Sequence, residues 1–201
     1  MTRTSHRWQS KPGSFDALNA LEQFPADNAL GIPTLAAPLD EAGRPAARLP
    51  RWLVPYRQRI RSERPLDDGA VHFFLDDYRF ETVWRRPRKA LEALAPYRTL
   101  LSPDFSLYRD WPLALQQWNT YRSRWCGAFW QARGFAVIPT VSWSTAESYA
   151  FCFLGLPRRS LLAVSAVGVE LADPLERSLF RAGFREMVAR LAPAAVLAYG
   201  P

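Results

Sequence analysis

The chain has 201 residues, 48% of them hydrophobic, and a formal net charge of +7. That length holds one sizeable domain with its own core, and the apolar share excludes a disordered chain. No apolar run approaches the ~20 residues of a membrane helix, and the first residues, "MTRTSHRWQSKPGS", lack the apolar core of a signal peptide, so the sequence reads as a cytoplasmic protein with no membrane partner.

Residues 1–50 are rich in Pro, Ala, Asp and Gly and carry five basic and five acidic groups. They read as an irregular N-terminal arm. Within it "SFDALNALEQF" (14–24) spaces Phe15, Leu18, Leu21 and Phe24 as a short helix would, and "GIPTLAAPLDEAGRPAARLP" (31–50) is expected to lie on the surface. A single α/β domain is expected over 51–201. It opens with "RWLVPYRQRIRSER" (51–64), five arginines against one glutamate, in which "WLVPY" (52–56) is a candidate first strand. Arginine supplies 24 of the 26 basic residues and favours planar, bidentate partners such as phosphate. Arg51, Arg57, Arg59 and Arg61, interleaved with Trp52 and Tyr56, are therefore candidates for nucleic-acid contact. A solvated basic face, and arginine codons from a G- and C-rich genome, are the plainer alternatives.

Beyond this block the pattern becomes regular. "AVHFFL" (70–75), "RTLL" (98–101), "FAVIPTV" (135–141), "LLAVSAV" (161–167) and "AAVLAY" (194–199) are nearly all hydrophobic rather than alternating, as parallel strands buried on both faces are. Helical segments separate them. "PRKALEALAPY" (87–97) opens on Pro87, acceptable in a first turn. "DWPLALQQWNTYRSRWCGAFWQARG" (110–134) is expected to start at Asp110 with Pro112 in its first turn. It carries a stripe of Leu115, Trp118, Tyr121, Trp125 and Phe129 and ends before Gly134. "DPLERSLFRAGFREMVARLAP" (173–193) has Asp173 as a cap and Pro174 behind it. Strand starts roughly 26–37 residues apart fit βαβ units. The expected fold is α/β with five to six parallel βα units, either an incomplete TIM-barrel-like arrangement or an open doubly wound sheet. Polar groups at nearly every strand end favour the barrel-like form.

Those strand ends define the candidate site. Asp76, Asp77 and Tyr78 follow the run at 70–75; Ser102, Asp104, Ser106 and Tyr108 follow 98–101. Thr140, Ser142, Trp143 and Ser144 stand near the end of 135–141; Ser165 and Gly168 follow 161–164, and Tyr199 closes 194–199. In a parallel sheet these tips lie side by side, and small polar groups gathered at one open face make a cleft. The catalytic candidates are Asp76, Asp77 and Asp104, with Arg122 from the long helix. The binding candidates are Ser106, Tyr108, Asn119, Thr140, Ser142, Trp143, Ser165 and Tyr199. Close carboxylates raise one another's pKa and suit acid–base work. Asp76 and Asp104 would also suit Mg²⁺ or Mn²⁺, and metal-assisted phosphodiester cleavage would fit the arginine excess. Capping of turns and helices is the competing role, with Asp110, Asp173 and Ser144 as helix starts and Asp104 open to either reading. Of the neighbours Asp76 and Asp77, one is expected to face the cleft and the other a covering helix or Arg79. Arg122 adjoins Trp118 and Tyr121, which favours ring stacking; it would clamp an anion or brace a carboxylate.

Cys126 and Cys152 have neither disulfide nor metal spacing and read as buried reduced thiols, a nucleophilic Cys152 being the alternative. With only His6 and His72 present, a Ser-His-Asp triad and a histidine-rich zinc site lack support. Neither G-x-G-x-x-G nor G-x-x-x-x-G-K-[ST] occurs.

Several segments carry a resemblance: "GIP" (31–33), "VHFFLDDYRFETVW" (71–84), "LLSPDFSLYRDWPLALQQWNTYRSRW" (100–125), "GFAVIPTVSWS" (134–144), "FCFLGLP" (151–157), "AVSAVG" (163–168) and "AYG" (198–200). Together they resemble an uncharacterised family of unknown function found in bacteria, phages and mobile elements. The resemblance implies no activity, but it implies a genomic setting in which DNA or RNA is a natural partner. An acidic residue often stands in that family where this chain has Leu154, and Ser-Thr where it has Ser165-Ala166, so neither missing group would be essential here. Family members are expected to continue beyond the position of Pro201. Three functions compete: a hydrolase with an acidic cleft, a non-catalytic nucleic-acid-binding accessory protein, and an α/β binding module without chemistry.

Overall fold

The computed structural model describes residues 22–37, 50–56 and 68–200. The expected helix at 14–24 is outside these residues but for its last three positions, and His6, Arg57, Arg59 and Arg61 lie outside them altogether.

Parallel strands follow one another in space as they do along the chain. β1 (Trp52–Pro55), β2 (Gly69–His72), β3 (Thr99–Leu101) and β4 (Ala136–Ile138) make a four-stranded sheet in that order, every pairing parallel. β5 (Leu161–Ser165) and β6 (Ala195–Tyr199) form a second parallel pair. A bridge between Thr140 and Ala163 joins the two sheets, with the Val141 N–H donating to the Ala163 carbonyl at 2.8 Å. Among the described residues β1 does not pair with β6, and the barrel is not closed.

The strands are shorter than the apolar runs that contain them, and the chemistry of their ends says why. β2 stops at His72 because Nδ1 of that imidazole accepts the Phe74 N–H (3.2 Å), while the Leu75 N–H donates to the Phe73 carbonyl (2.7 Å). These bonds turn the chain out of the ladder. β4 stops at Ile138 because Pro139 has no N–H to donate.

Among the described residues four α-helices accompany the strands: α1 (Thr82–Arg85), α2 (Pro87–Leu94), α3 (Leu113–Gln131) and α4 (Pro174–Leu191). Asp173 caps α4, accepting from the Leu175 and Glu176 N–H groups at 2.7 and 2.9 Å. α3 departs from expectation. Pro112, in extended conformation, stands before the helix, and Asp110 caps nothing. A residue preceding proline is barred from the helical region, so Trp111 cannot belong to a first turn. In the expected stripe Trp125 and Phe129 are buried, but Leu115 is 48% exposed. Ser144 likewise begins no helix; the short 3-10 turn Ala146–Ala150 is preceded by Thr145.

Alternation of strand side chains divides the core. Val54, Val71, Leu100 and Val137 face outward onto Trp84, Leu94, Trp125 and Phe129 of the helices. Leu162 and Val164 pack with Met187, Leu191, Phe151 and Ile32. On the opposite face Ala70, Leu101, Ile138, Leu161 and Ala163 form a third cluster, joined by Leu53, Ala195 and Leu197, so that all six strands contribute. No helix among the described residues is long and apolar enough to cross a membrane.

The segment 32–35, expected on the surface, is built into the core. Ile32 and Leu35 are both 1% exposed. The Leu35 N–H donates to the Gly155 carbonyl (2.8 Å), and the Gln131 amide bonds both N–H and C=O of Ala36. Two glycines make the room. Leu35 lies over Gly127, and at Gly155 (φ +70°) an added Cβ would meet the Pro33 carbonyl oxygen. Gly155→Ala is therefore expected to cost roughly 1–3 kcal/mol, read as a melting temperature lower by about 3–10 °C for a chain of this size.

Candidate functional site

The carboxyl ends of β2, β3, β4 and β5 surround a cleft of about 240 Å³. Of the residues expected at the site, Asp76, Asp104, Ser106, Tyr108, Ser142, Trp143 and Ser165 line it. A second arm of about 450 Å³ continues outward past Tyr108, Trp143 and Phe180 to Arg109, Asp110 and Glu176. Asp77, Asn119, Arg122, Thr140 and Tyr199 line neither arm.

Most of the side chains that do not face the cleft hold its walls. Asp77 accepts the Ser106 N–H at 3.2 Å and the Ser106 hydroxyl at 2.9 Å, tying the turn after β2 to the loop after β3. Asn119 donates to the Ser106 carbonyl (2.7 Å), and its own Oδ1 accepts from the Arg122 guanidinium (2.6 Å). Arg122 in turn pairs with Glu81 (2.8 Å) and lies 3.9 Å over the Phe105 ring. Its donors are thus committed to bracing, and it stacks on Phe105 rather than on Trp118 or Tyr121, which stack on each other. Ser102 and Thr140 bond reciprocally across the tips of β3 and β4, at 2.8 and 2.7 Å. Tyr199 lies against Phe74 and His72, with centroids 5.2 and 4.6 Å apart.

The two neighbouring aspartates separate although neither lies on a strand, and Arg79, expected to hold the one turned away from the cleft, holds the one that lines it. Asp76 lines the cleft and pairs with Arg79 at 2.8 Å; Asp77 turns to Ser106. Asp104 is the third carboxylate, and it caps no backbone. The Ser142 hydroxyl donates to one of its oxygens, and no protein donor among the described residues takes the other. Burial pushes the Asp104 carboxyl up to about 6; nearby Asp77 adds to the rise, while Ser142 and Arg124 oppose it. Burial also raises Asp77, against the pull of its Ser106 bonds and of Arg122.

The other candidate chemistries find little in this geometry. Among the described residues no three His, Cys, Asp or Glu side chains are grouped as metal ligands would be, so Asp76 and Asp104 offer a divalent cation two carboxylates at most. Cys126 and Cys152 are buried free thiols, and burial pushes both upward, away from the thiolate. His72 is buried, which lowers its pKa to about 4 and keeps the ring neutral. Arg51, the one described member of the basic candidates, is exposed and lies 3.8 Å from Asp68.

Three contributors escaped sequence reasoning. Arg124 is 2% exposed, and among the described residues it pairs with no carboxylate at ion-pair distance. It donates to the carbonyls of Thr140 (3.1 Å), Cys152 (2.8 Å) and Leu154 (3.1 Å), which fixes the end of β4 to the turn after it. Burial brings its pKa down to about 10. Phe180 joins the cleft from α4 and packs on Trp143 at 5.4 Å. Gly183, one turn on, supplies the space: a Cβ there would fall 2.2 Å from the Trp143 ring. The signal for this contact was a glycine in mid-helix, a costly choice unless a neighbour needs the volume.

Residues 24–201 match a family described as a domain of unknown function (DUF4417). The chain is 44% identical over 200 residues to the Gene 1 protein of Mycobacterium phage D29, an alignment that covers 99% of this chain and 71% of that one. It is 43% identical over 200 residues to the Gene 1 protein of Mycobacterium phage L5, covering 99% and 83%. No solved structure matches.

The shift at Asp104 makes stability depend on pH. Its folded pKa of about 6 lies above the reference 3.8. The proton it holds therefore contributes stability that is full below pH ~4 and lost as pH rises through ~6. Asp104→Asn, neutral at every pH and still able to accept from Ser142, is expected to exceed the wild type in stability at pH 8 by up to about 3 kcal/mol. The two should converge at pH 4, as urea denaturation of both proteins at each pH would reveal.

Proposed function

The chain belongs to the DUF4417 family, and from that premise we propose that it is a hydrolase-like protein whose proton-transfer group is Asp104. One observation carries the reading: Asp104 and Asp76 come from the ends of different strands and line one cleft. A group with a pKa of about 6 exchanges a proton readily near neutral pH, as a general acid or base must. Ser142 orients its carboxylate, leaving the second oxygen for a substrate or a water. Asp76, held by Arg79, is the second carboxylate, placed to orient a nucleophilic water or to stabilise developing positive charge. Arg122, with its donors spent on Glu81 and Asn119, serves as a positioning residue for the Ser106 loop. Asp76 and Asp104 are the two carboxylates that would hold Mg²⁺ or Mn²⁺ beside water and substrate oxygens, and no step is assigned to such an ion.

We read the fold in the same way, as an open segment of a TIM-like barrel. Sequential parallel strands, the Thr140–Ala163 bridge and a cluster drawn from all six strands support this. Such folds keep their active sites at the carboxyl ends of the strands.

Hydrolysis is tested with chromogenic esters, amides and glycosides. Turnover is expected to rise as pH rises through about 6, as the carboxylate form of Asp104 that accepts a substrate N–H or a water proton appears, and Asp104→Asn is expected to lower kcat by about a hundredfold or more. A variant as active as the wild type would overturn the assignment.

Nucleic-acid binding is a second reading, favoured by the five arginines of residues 51–64. It predicts single-strand or duplex affinity that falls steeply between 50 and 200 mM salt. Arg57→Glu with Arg59→Glu should abolish that affinity in a fluorescence-anisotropy titration; binding indifferent to salt or to both substitutions would exclude it.

A further inference from the structure

The charge of the cleft opposes that of the chain. The protein as a whole is +7, yet Asp76, Asp104, Asp110 and Glu176 line the two arms against one cation, Arg109. That arginine is 3.6 Å from Glu176, Asp76 is paired with Arg79, and among the described residues no Lys, Arg or His lines the inner arm. With those two pairs set aside, Asp104 and Asp110 remain, a balance that disfavours phosphate and other anions.

Its walls narrow the choice further. Tyr108, 54% exposed, stands on one side, and Trp143 and Phe180 pack against each other on the other. Aromatic faces attract ammonium and guanidinium groups and accommodate the methylene stems that carry them. Asp104 lines the inner arm, and among the described residues one of its oxygens has no protein donor. The acceptor is part of the built cleft rather than a surface carboxylate, and a ligand N–H would satisfy it with a charge-assisted bond.

We propose that the cleft binds an organic cation, an alkylammonium or guanidinium compound whose stem lies along Tyr108, Trp143 and Phe180 and whose head meets Asp104. This rests on the assignment of the same cleft as the hydrolase site, and it names the substrate class for that site.

Isothermal titration calorimetry of the full chain at low salt tests it without any turnover, using spermidine, arginine amide, methyl glucoside and inorganic phosphate as probes. Spermidine or arginine amide should bind saturably with one site, at least about tenfold more tightly than methyl glucoside, and phosphate should give no heat. Asp104→Asn should weaken the cation about tenfold or more, and Trp143→Ala should weaken it as well, with thermal melts confirming that each variant is folded. Glucoside or phosphate binding as tight as the cation, no binding of either cation, or cation binding unaffected by Asp104→Asn would each overturn the inference. Binding that meets these criteria while the chromogenic panel stays silent would refute hydrolysis alone. Turnover of neutral substrates without cation binding would refute this inference alone.

Discussion

A parallel strand that ends beside its neighbours leaves carbonyls and amides that the ladder no longer satisfies. Buried unpaired, each costs about 1–3 kcal/mol, and the answer found here is a set of side chains that reach from element to element. Arg124 takes three carbonyls around the end of β4. Ser102 and Thr140 exchange bonds between β3 and β4, and Asp77 and Asn119 hold Ser106 from two sides. These bonds tie the rim of the cleft from element to element. The residues left over after that work, Asp76, Asp104 and Ser142 among them, are the ones open to a ligand.

The same constraint explains the electrostatics. Arg124 is an uncompensated buried cation with Asp104 among its charged neighbours, and each carries a pKa displaced by desolvation. Desolvation outweighs their mutual attraction, since the carboxyl still titrates near 6. A guanidinium suits the Arg124 position because its planar fork bonds several carbonyls at once.

Much of this was legible in the residues. Uniformly apolar runs gave parallel strands, Asp173-Pro174 gave the start of α4, and of the polar groups after the runs Asp76, Asp104, Ser106, Tyr108, Ser142 and Ser165 line the cleft while Asp77, Thr140 and Tyr199 do not. What escaped shares one cause: position along a strand or helix does not say which neighbour a side chain meets. Arg122 and Arg124 are two residues apart on α3. The first is drawn to Glu81 from the turn after β2 and the second to carbonyls after β4; helical periodicity puts them on different faces, but it does not say what each face meets. Proline is welcome in a first turn, which predicts Pro112 inside α3; its extended backbone instead leaves it just ahead of the helix, which starts at Leu113. The burial of Ile32 and Leu35 depends on Gly127 and Gly155, roughly a hundred residues away, a pairing that no periodicity encodes.

The sequential order of the strands bears on how the chain is born. Each of β2, β3 and β4 pairs with the strand made just before it, so the sheet can grow one unit at a time as the ribosome extrudes it. The exception is the segment around Leu35, whose hydrogen-bonding partner Gly155 is synthesised about 120 residues later. The docking of that early stretch therefore waits for a partner made much later in translation.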